Sequence, residues 1–120
     1  MRTVLVELEE AGVNVSEALE QIGGDEEVYL YVLRRFVNDR GIDSLVKAFE
    51  KNDMGNAFDV AHTLKGMYAS IYFQREFEIC SEIVELLRDN DGNAAEAATK
   101  LEVLNRLHRQ KLGIMKGRID

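Results

Sequence analysis

The stretch Met54-Gly55-Asn56-Ala57-Phe58-Asp59-Val60-Ala61-His62-Thr63-Leu64-Lys65-Gly66-Met67-Tyr68-Ala69-Ser70-Ile71-Tyr72 decides how the chain folds. It holds no proline, and Asp53 stands before it as a side chain able to accept from the first unpaired N–H groups of a helix. At about 100 degrees per residue, Ala57, Val60, Ala61, Leu64, Tyr68 and Ile71 converge on one side and form a core stripe. His62 falls on the opposite flank. Lys65, Gly66 and Ala69 follow it on that flank, with Phe58 and Gly55 one and two turns before it.

Working outward, the rest of the chain carries the same helical period. Proline is absent throughout, and most glycines fall between periodic segments. A first segment covers Arg2 to Ala11 and is closed by Gly12. A short helix follows, with Ser16 as its N-cap and Gly23-Gly24 at its end. Asp25 caps a longer helix whose first turn carries Glu26 and Glu27, where negative charge complements the helix dipole. Val28, Leu30, Val32, Leu33, Phe36 and Val37 make a broad apolar stripe along it. A break near Asn38 to Gly41 leads into Ile42 to Lys51.

Beyond the central helix, residues Arg75 to Arg88 carry Phe77, Ile79, Cys80, Ile83, Val84, Leu86 and Leu87 on an apolar face. The turn Asn90-Asp91-Gly92-Asn93 is a stop signal. The last helix runs from Ala94 to about Leu112, with Leu101, Leu104 and Leu107 on one side and Arg106, Arg109 and Lys111 in its final turns. No segment alternates with period two. Helices of this length joined by short turns pack as antiparallel neighbours, so the expected fold is all-α: an antiparallel four-helix bundle with an additional short N-terminal helical segment. Its 120 residues fit a single domain over 1–120.

Composition narrows the function. Twenty-two acidic residues against 15 basic ones give a formal net charge of −7. Such a surface repels phosphate backbones and anionic lipid, which argues against nucleic acid or a membrane surface as partner. A protein with a basic docking patch fits better. One cysteine, Cys80, allows neither an intramolecular disulfide nor a thiolate metal cage. No apolar run approaches the roughly 20 residues needed to cross a bilayer. The N-terminus turns acidic at Glu7, too soon for a signal peptide. A soluble, cytoplasmic chain is expected.

Chemistry concentrates around His62. The face about it consists of one cation, two glycines and an alanine, with Phe58 beside them. Gly66 is the informative residue, because glycine inside a helix costs about 1 kcal/mol relative to alanine. Pointing outward next to His62, it removes bulk and leaves the imidazole open to a large partner. Lys65 places a positive charge within reach of anything bonded to His62, as a phosphoryl group requires. Geometry alone leaves the blander reading open: a lone helical histidine is usually a surface residue, lysines usually solvate, and helix glycines also occur where helices cross.

Other residues carry less. His108 lies among Arg106, Arg109 and Lys111 and reads as a surface residue. Cys80 reads as a small core residue. Tyr29, Tyr31, Tyr68 and Tyr72 read as packing and rim residues, with Tyr68 towards the core and Tyr72 on the Lys65 side. His62, His108 and Cys80 share no metal-ligand spacing, so no metal site is expected. No Gly-rich phosphate loop is present either, because Gly23-Gly24 is an isolated pair.

The run Ala61-His62-Thr63-Leu64-Lys65-Gly66 resembles the signature of histidine-containing phosphotransfer (HPt) domains, in which His-x-Leu-Lys-Gly surrounds the phosphorylated histidine. The resemblance extends from about Val13 to Leu112. It takes in Gly23-Gly24-Asp25-Glu26-Glu27 and the apolar run to Phe36, the segment Glu76 to Leu87, the Asn90-to-Asn93 turn and the last helix. It implies that His62 is the phosphoacceptor, that Lys65 stabilises the phosphoryl group, and that Gly66 keeps the site accessible. Phe58 and its apolar neighbours, with Ala69 and Tyr72 at the rim, would meet response-regulator receiver domains and a sensor or hybrid histidine kinase. The chain would then be a monomeric carrier and co-substrate with no kinase activity and no cofactor of its own, the receiver bringing magnesium and the acidic pocket. One departure stands out. Family members often show small residues and then Asn-Leu-Gly after the glycine, where this chain reads Met67-Tyr68-Ala69-Ser70-Ile71-Tyr72.

Two other classes compete. An HPt-like helical interaction module that binds signalling partners without carrying phosphate would have lost the histidine or the lysine, and both are present. A helical cofactor or metal bundle would need inward-facing His, Glu or Met ligands on several helices.

Overall fold

The computed structural model describes residues 3–88 and 93–119. Among these residues there are seven helices and no strand. In chain order they are α1 (Val4–Glu10), α2 (Val15–Gln21), α3 (Glu26–Asn38), α4 (Gly41–Glu50), α5 (Met54–Ser70), α6 (Gln74–Arg88) and α7 (Ala94–Met115). Helices α4 to α7 make the bundle: α5 packs on α4 and α6, and α7 closes against α6 and α4. The N-terminal helices lie along it, with α1 and α3 on α7. No described helix is long and apolar enough to cross a membrane.

Capping sets most boundaries. Asp25 accepts from the N–H groups of Glu27 and Val28 to open α3, and Asp53 accepts from Asn56 to open α5, as anticipated. The cap of α2 is not Ser16. Asn14 takes that place, its Oδ1 accepting from the Glu17 N–H at 3.0 Å while its Nδ2 donates to the Glu17 carboxylate at 3.2 Å. That reciprocal pair satisfies the helix start and buries Val15, leaving Ser16 inside the helix, where its hydroxyl donates to Glu9. The break after α3 is real: Asp39 is extended, and its Oδ1 accepts from the Gly41 N–H at 2.7 Å. A Cβ at Gly41 would come within 2.8 Å of that oxygen and 3.0 Å of Leu64, so any larger residue there must displace the Asp39 carboxylate and crowd Leu64 of α5. The expected Asn90-to-Asn93 turn lies outside the described residues except for Asn93, which stands before α7.

The core runs the length of the bundle. α5 buries Ala57, Ala61, Leu64 and Tyr68, while Val60 sits half-buried at the edge of the stripe. α6 buries Cys80, Ile83, Val84 and Leu87.

α7 corrects the sequence reading. Its buried positions are Ala97, Leu101, Leu104, His108, Lys111 and Met115, spaced by three and four, and Leu107 is only half-buried. His108 is therefore not a surface residue. It is 1% exposed, and its Nδ1 lies 2.7 Å from the Tyr68 hydroxyl. Its ring packs on Phe36 at 4.5 Å between centroids. Burial, aided by neighbouring Arg109, pushes its pKa down to about 4. Arg109, one residue on, turns outward to pair with Asp43 and holds that carboxyl below the usual range.

Lys111 is likewise internal. Its ammonium lies 2.9 Å from the Glu76 carboxylate, with both side chains at most 3% exposed. No aligned hydrogen bond reaches Glu76 Oε2, so the attraction is chiefly Coulombic between two buried groups. Lys111 also donates to Gln110 at 3.2 Å.

Two predictions follow from these buried groups. Lys111→Met should lose about 3–5 kcal/mol by urea denaturation, because it strands a carboxylate in the core, while the double variant with Glu76→Leu should recover most of that loss. For His108, the folded pKa of about 4 lies below the unfolded value of 6.5. Stability should therefore be complete above pH 6.5 and decline as pH falls towards 4, by about 2 kcal/mol between pH 7 and pH 5. His108→Gln should remove that decline.

Candidate functional site

With α5 held by its core stripe, the opposite face is turned to solvent. His62, Gly66 and Ala69 are exposed along it, and Lys65 is half-buried at its edge. Phe58, one turn before His62, lies with its ring centroid 6.3 Å from the imidazole. A Cβ built on Gly66 would meet nothing within 4 Å, and the same holds for Gly55. Neither glycine is required by helix crossing. The space beside His62 on the Gly66 side is open.

The two flanks of this face differ. Towards α6, Lys65 Nζ lies 5.8 Å from the centre of the Phe77 ring, and Arg88 reaches over Phe58 at 5.6 Å. Arg88 is fixed there by a two-pronged contact with Glu85, at 2.9 and 3.3 Å. Phe77 and Arg88 come from another helix, so the spacing along α5 carried no trace of them; only the helix-pairing geometry reveals them. Towards α3 and α4 the flank is Asp59, Thr63 and Ser70, all exposed. Thr63 and Ser70 spend their hydroxyls on backbone carbonyls of their own helix, at 3.2 and 2.7 Å.

The helix ends before Tyr72. Ile71 is its C-cap, and Tyr72 follows with φ +65, a left-handed conformation unusual for a bulky side chain. The Phe73 N–H then bonds back to the Tyr68 carbonyl at 3.1 Å, which closes the turn into α6. Tyr72 is half-buried and lines a depression with Asn14, Glu17, Ala69, Gln74 and Phe77, at the end of the face and about three turns from His62. Behind the face, Cys80 donates to the Ala61 carbonyl at 3.3 Å, and burial pushes its thiol up to about 12, so it stays protonated. Among the described residues, no three His, Cys, Asp or Glu side chains gather as metal ligands would.

The arrangement can do one thing readily. It presents a nucleophilic ring nitrogen to a large partner, with a cation at one side and no side chain at the other. Among the described residues no acidic cluster gathers beside it, and the sequence holds no Gly-rich phosphate loop. A family profile described as the Hpt domain matches residues 28–111, which takes in α4, α5 and α6 entire and most of α3 and α7. Searches of curated proteins and of solved structures returned no match. The helical bundle and this match, spanning well over half of the sequence, establish that the chain belongs to the Hpt domain family, whose members serve phosphotransfer in two-component phosphorelays.

Proposed function

We propose that His62 is the phosphoacceptor of this Hpt domain, receiving the group from a receiver-domain aspartate or a kinase and passing it to another receiver. The observation that carries this reading is the exposed His62 with Lys65 on one side and the unfilled space of Gly66 on the other. The lone pair of a ring nitrogen forms a P–N bond while the P–O bond of the aspartyl phosphate breaks, and the aspartate leaves as a carboxylate. The same step reversed hands the group to a second receiver.

Phosphoryl transfer depends on positioning and charge neutralisation. Lys65 supplies the second: its ammonium rests against the Phe77 ring and makes no ion pair with a described residue, so it is free to turn to an incoming phosphoryl group. Gly66 serves the first by leaving room for the partner's loops. Phe58 and Ala69 offer apolar contact on either side of His62, and Tyr72 bounds the surface at its far end. Magnesium and the acidic pocket belong to the receiver. In this reading the chain is a co-substrate and needs no nucleotide.

Label transferred from a phosphorylated receiver should appear on this chain as an acid-labile, alkali-stable adduct and be lost entirely in His62→Gln. Persistence in that variant would refute the assignment. Lys65→Ala should slow transfer, or shorten the adduct's lifetime, by about tenfold or more, consistent with losing a charge-assisted contact, while circular dichroism stays unchanged. Gly66 separates stability from access. Gly66→Ala should raise stability by about 1 kcal/mol, since its methyl meets nothing. Gly66→Phe should fold but transfer poorly; wild-type rates in that variant would remove the access role.

A further inference from the structure

Where the end of α3, the start of α4 and the last turns of α7 meet, a cavity of about 230 Å³ opens, and none of its walls is α5. His108 lines it. The ring is 1% exposed, and its Nδ1 is committed to Tyr68. Its other nitrogen, Nε2, has no hydrogen-bond partner among the described residues. A fully sealed nitrogen without a partner would be costly. The one sealed, partnerless side-chain atom among the described residues is instead Glu76 Oε2. Nε2 therefore keeps an opening, and the cavity is the space beside its ring.

Charge in the cavity runs against the rest of the chain. The sequence carries −7 overall. Here the walls bring three cations, Arg40, Arg109 and Lys116, against the two carboxylates of Asp39 and Asp43. Both carboxylates are engaged. Asp43 is paired with Arg109 and lies 3.6 Å from Arg40, while Asp39 accepts from the Gly41 N–H at 2.7 Å. Lys116 makes no ion pair or side-chain hydrogen bond with a described residue. Arg40 has a side chain 87% exposed, so its contact with Asp43 holds it weakly. α4 begins at this rim with no side-chain cap from Arg40, and the positive end of its dipole adds to the same field.

We propose that this cavity binds a small phosphate-bearing anion, free phosphate or a compact monoester, between His108 Nε2, Lys116 and Arg40. A Tyr68 hydroxyl that donates to Nδ1 leaves the ring proton on Nε2, which then donates into the cavity. Donors converge from the buried ring, from the end of α7 and from the start of α4. That suits a tetrahedral group with oxygens on every side. A planar carboxylate is best gripped by an arginine fork, and Arg109 already spends its fork on Asp43 and Asn105. Val37 and Leu112 supply the apolar wall that a short ester group would meet. The site shares no residue with the His62 face, so it stands whether or not His62 carries phosphate.

The chain has two histidines, so the His108 ring gives the one imidazole signal in His62→Gln, and nitrogen NMR spectra of that variant read the cavity directly. Inorganic phosphate and methyl phosphate are titrated in turn at neutral pH and constant ionic strength. At least one should move the Nε2 resonance saturably, with a dissociation constant of about 1 mM, and sodium chloride alone should not. The ratio of the two affinities tells the free ion from a monoester. Lys116→Gln and Arg40→Gln, both exposed, should each weaken binding about tenfold with the thermal midpoint unchanged. Arg106→Gln, the same loss of charge elsewhere on α7, should bind as before. Shifts that climb without saturating, or that chloride reproduces, would overturn the proposal. So would undiminished affinity in both cavity variants, or an equal loss in Arg106→Gln.

Discussion

The hydrogen bond between the Tyr68 hydroxyl and His108 Nδ1, 2.7 Å long and buried, fixes how α5 is turned about its own axis. Tyr68 follows His62 by six residues, so the two side chains leave the helix about 120 degrees apart. Whatever locks Tyr68 inward holds His62 outward. Apolar packing alone tolerates small rotations of a helix, because Ala57 and Ala61 are small and Leu64 has neighbouring rotamers to adopt. A directed bond to a ring that is itself packed on Phe36 does not. The histidine that stays inside thus orients the histidine that faces out. The low pKa of His108 belongs to the same arrangement, since a neutral ring can take or give the single proton shared with the phenol, whereas the imidazolium would be a buried charge.

A second polar contact, Glu76 with Lys111, ties α6 to α7 much as Tyr68 and His108 tie α5 to α7. A leucine pair of similar size would serve stability equally well or better. Its effect is on register. A slip of α7 by one residue would bring Gln110 or Leu112 opposite Glu76 and leave a carboxylate without its cation in the core. The bundle therefore has one axial setting in which both polar contacts form at once, and that setting also fixes the turn of α6 that lays Phe77 beneath Lys65 and Arg88 over Phe58. The α6 flank of the His62 face inherits its geometry from charges buried in the core.

Much of this was legible in the amino-acid sequence, and the failures have a common cause. The α5 face could be read because alanine, leucine and glycine differ sharply in what they say about burial, and Asp25 and Asp53 announce their helices by chemistry that is local. His108 was misread, and the burial of Lys111 went unread, because hydrophobic patterning ranks residues by type. After Leu104 the stripe could continue at Leu107 or at His108, and only the presence of Tyr68 and Glu76 on other helices favours the polar choice. The same bias counted Val28 towards the core stripe of α3, although it is 43% exposed. Residue type speaks for local propensity. Partners distant in sequence decide the exceptions, and those exceptions are where α3, α6 and α7 bear on the site.

Tyr72 shows how the family pattern and the backbone meet. The HPt pattern that the sequence resembles places a glycine where this chain has Tyr72, and here that residue has φ +65. Glycine adopts that conformation without penalty, while any other L-residue pays roughly 1–2 kcal/mol to turn left-handed. The turn is needed regardless, because the Phe73 N–H must reach back to Tyr68 so that α6 can fall beside α5. Tyrosine accepts the strained backbone and lines a depression with Asn14, Glu17 and Phe77. Its ring is thereby drawn to the far end of the face, with exposed Ala69 between it and His62. The tyrosine bulk is carried to the end of the face by the same left-handed turn that ends the helix. The approach to His62 is left to be shaped from the other direction, where Gly66 opens onto the groove beneath α3.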